Sequence, residues 1–418
     1  MKSVPELPED FQEAHLQAPA ASLGEAQWEA AVVGAGPAGA MAALHLARRG
    51  RRVLLIDRAR FPRDKTCGDG LIADALAALN RAGLGDAVRC LGHRMNSASV
   101  FSPAGIEFAI PGEYVTLERR VLDALIAREA VAAGASFCHG QVVRAAPATD
   151  GGVRLRIREC PHEVSARVLM VATGAPVGFA RQLGLITRLR PSAIGLRCYV
   201  RSRMALDHIV GAYHRSTVPG YGWIFPLGEG VFNVGAVVFF GYHRGWRTIN
   251  VRDAFGLFTR ESPLARRLLA EGEMIAPLKG AMLRCGLAGS RLLGPGNVLA
   301  VGEAAGSTLP LLAEGVGKAM QTGQIAAEVA AEALAADDMT MLDAYPRRID
   351  QELRPLYHGY RLAQWWITVP WLNDFMSRRV AHSERLSSMM AGMIQGTCDP
   401  RRVFSARTVM RSLWRWRP

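Results

Sequence analysis

Residues 30–58, AAVVGAGPAGAMAALHLARRGRRVLLIDR, constrain this chain more than any other stretch. Ala31, Val32 and Val33 form an apolar run suited to a strand buried on both faces, and the run stops abruptly at Gly34. Gly34, Gly36 and Gly39 supply a G-x-G-x-x-G spacing. The first glycine permits a tight turn, the second lets a pyrophosphate approach the backbone, and the third lets the new helix pack closely on the sheet. Pro37 and Ala38 open that helix, and its N-terminus is the place for a dinucleotide. The helix ends near Gly50 and leads into a second apolar strand over residues 53–56, closed by Asp57 and followed by Arg58. Asp57 is placed for a ribose hydroxyl. Glycine-rich turns arise by chance in a chain with 43 glycines. Here a strand precedes the turn, a helix follows it and an acid ends the next strand, which ties it to the ADP half of a dinucleotide.

The chain has 418 residues, enough for two or three packed subdomains. Lys and Arg exceed Asp and Glu by 13, a surplus that suits an anionic partner. Nucleic acid is not expected, because no nucleic-acid motif appears and the arginines are scattered. Seven cysteines, odd in number and without C-x-x-C spacing, point to a reducing, cytoplasmic setting and to no metal cluster. Residues 1–28 read as a disordered tail, and no apolar run is long enough for a spanning helix, so any membrane contact is expected to be peripheral.

Taken in order, residues 59–71, ARFPRDKTCGDGL, form a loop dense in Pro, Gly and charge. Arg63 and Lys65 could hold phosphate or ribityl oxygens there, while Cys67, Gly68, Asp69 and Gly70 let backbone pass close to a flat ring. The plainer alternative is a surface turn with a buried cysteine. Antiparallel strands are expected over residues 98–114, then a helix over 117–135 with Val121, Leu122, Leu125, Ile126 and Val131 on one face. Arg119 at its start either meets an anion or is a solvated side chain. A strand over 166–171 ends in Thr173 and Gly174. Residues 191–282 read mainly as sheet, with one amphipathic helix near 251–269. Tyr221, Trp223 and Phe225 alternate, so a strand points all three to one face, as an aromatic wall or as ordinary core filling. Residues 297–320 return to a strand, a turn at Gly302 and Glu303, and a helix opened by Gly315, Val316 and Gly317. The positive end of that helix suits a ring that becomes anionic on reduction. Beyond residue 338 the chain reads as helical, with Trp365, Trp366 and Trp371 clustered. The last eighteen residues, rich in Arg and without an acid, suit either an anionic membrane surface or a capping helix.

On these stretches the chain resembles the geranylgeranyl reductase family, within the flavoproteins similar to p-hydroxybenzoate hydroxylase, over residues from about 29 to 400. GAGPAG with Asp57 is common to many flavoproteins. FPRDKTCGDGL is more specific, as is YGWIFP followed by N-V-G at 233–235, which is similar to the family's Y-x-W-x-F-P substrate wall. R-x-x-L-D at 119–123 is similar to its flavin-contacting arginine segment. The resemblance implies FAD and an α/β fold. A Rossmann-type FAD-binding domain (29–97, 115–175 and 286–337) is interrupted by a mixed antiparallel-sheet substrate domain (98–114 and 176–285), with a C-terminal helical region (338–418). Residue patterns and resemblance together assign cofactor contacts to Gly34, Gly36, Pro37, Ala38, Gly39, Asp57, Arg58, Lys65, Cys67, Gly68, Arg119, Gly174, Gly302, Glu303, Gly315 and Val316. Cys67, Tyr221 and Trp223 are the catalytic candidates, and Tyr221, Trp223 and Phe225 the substrate wall.

The implied reaction is reduction of a carbon–carbon double bond in a hydrophobic, isoprenoid-type substrate, with hydride from flavin N5 and a proton from water or a nearby acid. The alternatives are a monooxygenase acting on an aromatic or lipophilic compound, a halogenase, and a lipid-surface binding flavoprotein without activity. YGWIFP is also similar to the halogenase W-x-W-x-I-P, but Tyr221 and Phe225 replace its Trp and Ile. Glu303 stands where the reductase family has Asp, Pro219 lies one residue nearer Tyr221 than in the archaeal form, and Thr173 replaces the acid of related hydroxylases. Thr173, with no second dinucleotide fingerprint, leaves the electron donor open between NAD(P)H and a separate reductase or ferredoxin-like carrier protein.

Overall fold

The computed structural model describes residues 17–23, 27–148, 151–241 and 249–404. The chain opens with β1 (Ala18–Pro19), β2 (Gln27–Val33), α1 (Pro37–Ala47) and β3 (Val53–Asp57). β4 (Gly70–Leu71), α2 (Ala73–Arg81), α3 (Gly85–Leu91), β5 (His93–Phe101), β6 (Glu107–Thr116) and α4 (Arg119–Ala132) follow. Next come β7 (Ser136–His139), β8 (Val142–Pro147), β9 (Val153–Ile157), β10 (Glu163–Val171) and α5 (Gly178–Gln182). The second half runs through β11 (Ala193–Arg201), β12 (Ile209–Ala212), β13 (Tyr221–Gly228), β14 (Val231–Phe239), α6 (Val251–Glu261), α7 (Pro263–Glu271) and β15 (Glu273–Leu283). It closes with β16 (Leu293–Gly294), β17 (Val298–Ala300), α8 (Val316–Ala336), α9 (Ala344–Glu352), α10 (Arg354–Ile367), α11 (Pro370–Ala381), α12 (Glu384–Ile394) and α13 (Pro400–Val403).

The strands build two sheets. The first has the order β1-β7-β3-β2-β10-β17-β16, parallel from β1 to β17, with β9 and β8 added in antiparallel fashion to β10. The second has the order β15-β11-β14-β13-β12-β5-β6-β4 and is antiparallel except where β12 runs beside β5. The chain crosses between the sheets several times, so the first sheet is discontinuous in sequence. β2 shows why its run is wholly apolar. Ala30 and Val32 belong to the core under α1, α4 and α8, while Ala31 and Val33 belong to the core under β8 and β9. A parallel strand covered on both faces leaves no position for a polar side chain.

Two expectations change. The tail expected over residues 1–28 is ordered where it is described. Ala18–Pro19 pairs in parallel with Cys138–His139, and the Gln17 side chain donates to the Ala59 carbonyl at 2.9 Å and accepts from the Phe61 N–H at 2.9 Å. Residues 1–16 and 24–26 lie outside the described residues. The single helix expected near 251–269 is two, because the Ser262 hydroxyl accepts from the Ala265 N–H and Pro263 occupies the first turn of α7. Proline cannot continue α6 but suits a new N-terminus. The basic tail expected at the C-terminus lies, from residue 405 onward, outside the described residues. Among the described residues no helix is long and apolar enough to cross a membrane.

Candidate active site

A cleft of about 760 Å³ runs between the two sheets, from the β2–α1 turn to the cavity side of β5, β12 and β13. At its first end the three glycines of the fingerprint have separate steric reasons. A Cβ on Gly34, whose φ is +104°, would lie 2.3 Å from the Ala172 carbonyl oxygen, and one on Gly39 would lie 1.8 Å from the Gly34 oxygen. A Cβ on Gly36 would instead meet no backbone and make only ordinary contact with Arg63 Nη2 and Arg119 Nη2, at 3.7 and 4.0 Å. Both guanidiniums are held by one buried carboxylate. Arg119 donates from Nε and Nη2 to Asp123 at 2.8 and 2.9 Å, and Arg63 Nη1 lies 3.0 Å from Asp123 without a hydrogen bond. Burial opposes the charge on Arg119, but Asp123 and Cys67 beside it hold its pKa above the ordinary value. Arg63 Nε also lies 4.0 Å from Asp57 Oδ2, so two carboxylates face the two guanidiniums, whose Nη2 atoms flank Gly36 at the N-terminus of α1. That is the cradle a pyrophosphate requires.

Asp57 closes β3 as expected, yet it also braces the turn. Its Oδ2 accepts from the Ala35 N–H at 2.8 Å and its Oδ1 from the Ala59 N–H at 2.9 Å. Each carboxylate oxygen keeps accepting capacity, and both Asp57 and Arg58 line the cleft.

Farther along, Lys65, Thr173, Gly174, Glu303 and Gly315 line the middle of the cleft. Gly302, at φ +61°, brings its backbone against Ala38, where a Cβ would stand 2.6 Å from the Ala38 Cβ. Glu303 Oε1 accepts from the Arg284 N–H at 3.2 Å and the Thr308 hydroxyl at 3.3 Å. Burial raises its pKa, opposed by Lys65, these two donors and Arg119. Glu314, just before α8, accepts from the Gly317 N–H through Oε1 at 2.6 Å, while its Oε2 is buried with no hydrogen bond. Burial and the nearby Asp74 push this carboxyl up to about 7.

At the far end Tyr221, Trp223 and Phe225 share the cleft face of β13, with neighbouring ring centroids 6.4 and 6.1 Å apart. The glycines around them are matched to the rings. Trp223 stands directly opposite Gly235, where a Cβ would lie 2.1 Å from its ring. Gly68 and Gly70 back onto Phe225, and Gly222, on the other face, makes room for Phe258 of α6. A hydrogen-bond chain fixes the wall to the loop. Trp223 Nε1 donates to Asn233 Oδ1 at 2.9 Å, and Asn233 Nδ2 donates to the Cys67 carbonyl and to Asp69 Oδ2, each at 2.8 Å. The Tyr199 hydroxyl donates to the same Asp69 oxygen at 2.6 Å. Burial raises the pKa of Asp69, against these hydrogen bonds and the charges of Arg197 and Arg119.

Residues 27–188 match the FAD binding domain family. Digeranylgeranylglycerophospholipid reductase 2 of Methanopyrus kandleri is 33% identical over 78% of this chain and 83% of its own length. The chain belongs to the geranylgeranyl reductase family. Menaquinone reductase of Mycobacterium tuberculosis is 34% identical over 71% of this chain and 75% of its own. A solved geranylgeranyl bacteriochlorophyll reductase-like protein of Thermoplasma acidophilum superposes with a TM-score of 0.74 at 21% identity, covering 94% of this chain and 97% of that one, which shows a common fold. As a member of the geranylgeranyl reductase family the chain is an FAD-dependent oxidoreductase, and its cleft fits the cofactor. The Gly36 cradle with its two guanidiniums suits the diphosphate, and the loop at residues 65–70 with the N-terminus of α8 leaves space for a flat ring.

The assigned residues of this flavoprotein converge on one cleft: Gly34, Gly36, Pro37 and Ala38 at one end, Lys65, Cys67 and Gly68 in the middle, and Tyr221, Trp223 and Phe225 at the other. Gly39 and Gly302 do not line it; they let α1, the sheet and the residues after β17 approach one another. Arg119 is buried, which removes the solvated alternative. Sequence reasoning missed Asp123 as the anchor of both arginines, the joining of Asn233 to Asp69 and Tyr199, and Glu314. The signal for Asn233 was present. An Asn within VFNVGAVVF is a polar group in an otherwise apolar strand and must find a partner.

Proposed function

We propose that this flavoprotein reduces carbon–carbon double bonds of an isoprenoid-type lipophilic substrate. The observation that carries the reading is the aromatic wall. Tyr221, Trp223 and Phe225 face one apolar cavity with Ile110, Ile209 and Tyr213, so a long hydrocarbon finds dispersion contacts there and displaces water. The names of the relatives, reductases of a digeranylgeranyl lipid and of menaquinone, support the same substrate class.

Bound FAD, once reduced, supplies a hydride. The remaining work falls to the chain. Gly36, Arg63, Arg119 and the start of α1 hold the diphosphate, while Gly315, Val316 and the loop at 65–70 fix the ring region. Asp69, Asn233 and Tyr199 lock Trp223 so that the substrate chain lies at one depth, and such positioning is the main protein contribution to a transfer of this kind. Glu314 holds a proton in the cleft wall near neutral pH and is the acid suited to deliver one to the second alkene carbon. Cys67 lies in the same wall, beside Arg119.

The electron donor belongs to the same proposal. Thr173 lines the cleft with its hydroxyl buried and unpaired, where related hydroxylases carry an acid. A separate acidic reductase or carrier, rather than NAD(P)H held in a pocket of its own, suits this chain. Cytoplasmic location with peripheral association at an anionic bilayer completes the reading. The test is anaerobic: photoreduced protein is mixed with a geranylgeranyl lipid, a polyprenyl quinol and their saturated counterparts. Return of the oxidised flavin spectrum with an unsaturated lipid alone is the expected result. A spectrum that stays reduced under argon with every lipid overturns the reading.

A further inference from the structure

Six large apolar side chains stand exposed among the described residues, and three of them, Leu362, Trp365 and Trp371, fall within ten positions of one another at 38, 46 and 68% exposure. They sit where α10 gives way to α11, together with the partly exposed Trp366, Ile367, Val369 and Pro370. The opposite face of α10 is well used: Tyr357, Tyr360 and Ala363 are buried, and the Tyr357 hydroxyl donates to the Ser307 carbonyl. The exposed face is therefore a second apolar surface on a helix already anchored. No acidic residue occurs between Glu352 and Asp374, while Arg361 and Arg378 are exposed on the flanking turns. Tryptophans at a polar–apolar boundary, with basic residues and no acid, are the chemistry of a bilayer interface.

The position of this surface ties it to the cleft. Asp374, one turn after Trp371, accepts from the Ser102 hydroxyl and the Ala104 N–H, each at 2.7 Å, and its other oxygen lies 3.2 Å from Arg215 Nη2. Ser102 follows the end of β5 and Arg215 lies just past β12. Ala98, Ser99, Val100, Ile209 and Gly211 of these two strands line the substrate end of the cavity. One carboxylate thus clamps the tryptophan-bearing helix to the ends of the strands that enclose the substrate.

We infer that the α10–α11 corner, with Leu362, Trp365 and Trp371 at its tip, seats the protein on an anionic lipid bilayer so that a membrane-dissolved substrate enters the adjoining end of the cleft. The inference rests on the lipophilic-substrate reading of that cleft. The net charge of +13 complements such a bilayer, and basic residues near the apolar tip add to its binding. A second copy of this chain is the rival occupant.

The test uses the full chain loaded with FAD and sedimentation with vesicles of phosphatidylcholine, with and without phosphatidylglycerol. Wild type is expected to sediment with the anionic vesicles, and Trp365→Ser/Trp371→Ser to partition about tenfold more weakly at equal flavin content. Should the double variant lose FAD, Trp371→Ser alone, at the most exposed position, must still weaken sedimentation. Equal sedimentation of variant and wild type overturns the inference, as does a wild type that stays in solution with both vesicles. A wild-type dimer that the substitutions convert to monomer without changing sedimentation also overturns it, since a second copy then covers the surface. A chain that sediments through these residues but reduces no isoprenoid leaves the docking surface standing and removes only the substrate assignment.

Discussion

Asn233 does more for the site than any neighbour on its strand, because a single amide joins Trp223, the Cys67 carbonyl and the buried Asp69. Asn233→Leu leaves an indole N–H and a carboxylate short of partners, and a buried polar group so stranded costs about 1–3 kcal/mol. Urea unfolding is expected to show a loss in that range, whereas an unchanged midpoint contradicts the clamp. Glu314 makes a second prediction. Folding raises its pKa from 4.5 to about 7, so the folded chain holds this proton more tightly than the unfolded chain does. Its contribution is fully present below about pH 4.5, declines as pH rises toward 7 and is lost above, at most about 3 kcal/mol in all. Denaturation midpoints of the flavin-free chain at pH 5 and pH 8 should therefore differ less in Glu314→Gln than in wild type, and parallel pH curves in the two proteins contradict this. At this scale the sequence was legible wherever a residue's partner was local. Gly39 is explained within its own turn, but Gly34 also depends on Ala172, Arg63 depends on Asp123 of a later helix, and Asp69 depends on residues more than a hundred positions away.

Among the elements, β13 was read correctly as an alternating strand because period two is a local property. What alternation could not show is why its glycine is required: Gly222 accommodates Phe258 of α6, a helix 30 residues later. The break between α6 and α7 was legible in Ser262-Pro263 and was passed over, since the apolar periodicity continues across it. Trp223→Ala removes the centre of the wall without touching the Gly36 cradle. Turnover is expected to fall about tenfold or more while bound FAD per chain stays near one; loss of FAD with full activity per remaining flavin would return Trp223 to a core-packing role. The α1–α8 contact gives the opposite pattern. A Cβ on Gly323 would lie 2.2 Å from the Ala38 carbonyl oxygen, so Gly323→Ala must separate the two helices whose N-termini flank the cofactor space. Overpacking of this kind typically costs about 1–3 kcal/mol, and here FAD content should fall with it.

For the whole molecule, the discontinuous two-sheet architecture was legible from the alternation of βαβ pattern with sheet-rich segments, and the family resemblance supplied its order. The cleft between the sheets could not be read that way, because it is made by strands distant in sequence. The charge surplus bears on the electron donor. If an acidic carrier delivers electrons, its rate should fall steeply with salt, since complementary charge speeds encounter and is screened. NADPH mixed alone with oxidised protein in a stopped-flow instrument is expected to leave the flavin spectrum unchanged over seconds; rapid bleaching defeats the separate-donor reading. The central claim is double-bond reduction in an isoprenoid. It is tested most directly by the mass of the product formed under argon from a geranylgeranyl lipid or polyprenyl quinol with chemically reduced, FAD-loaded protein. A product heavier by two hydrogens is the predicted result. No product under argon, with one oxygen atom gained when labelled oxygen is supplied, contradicts it.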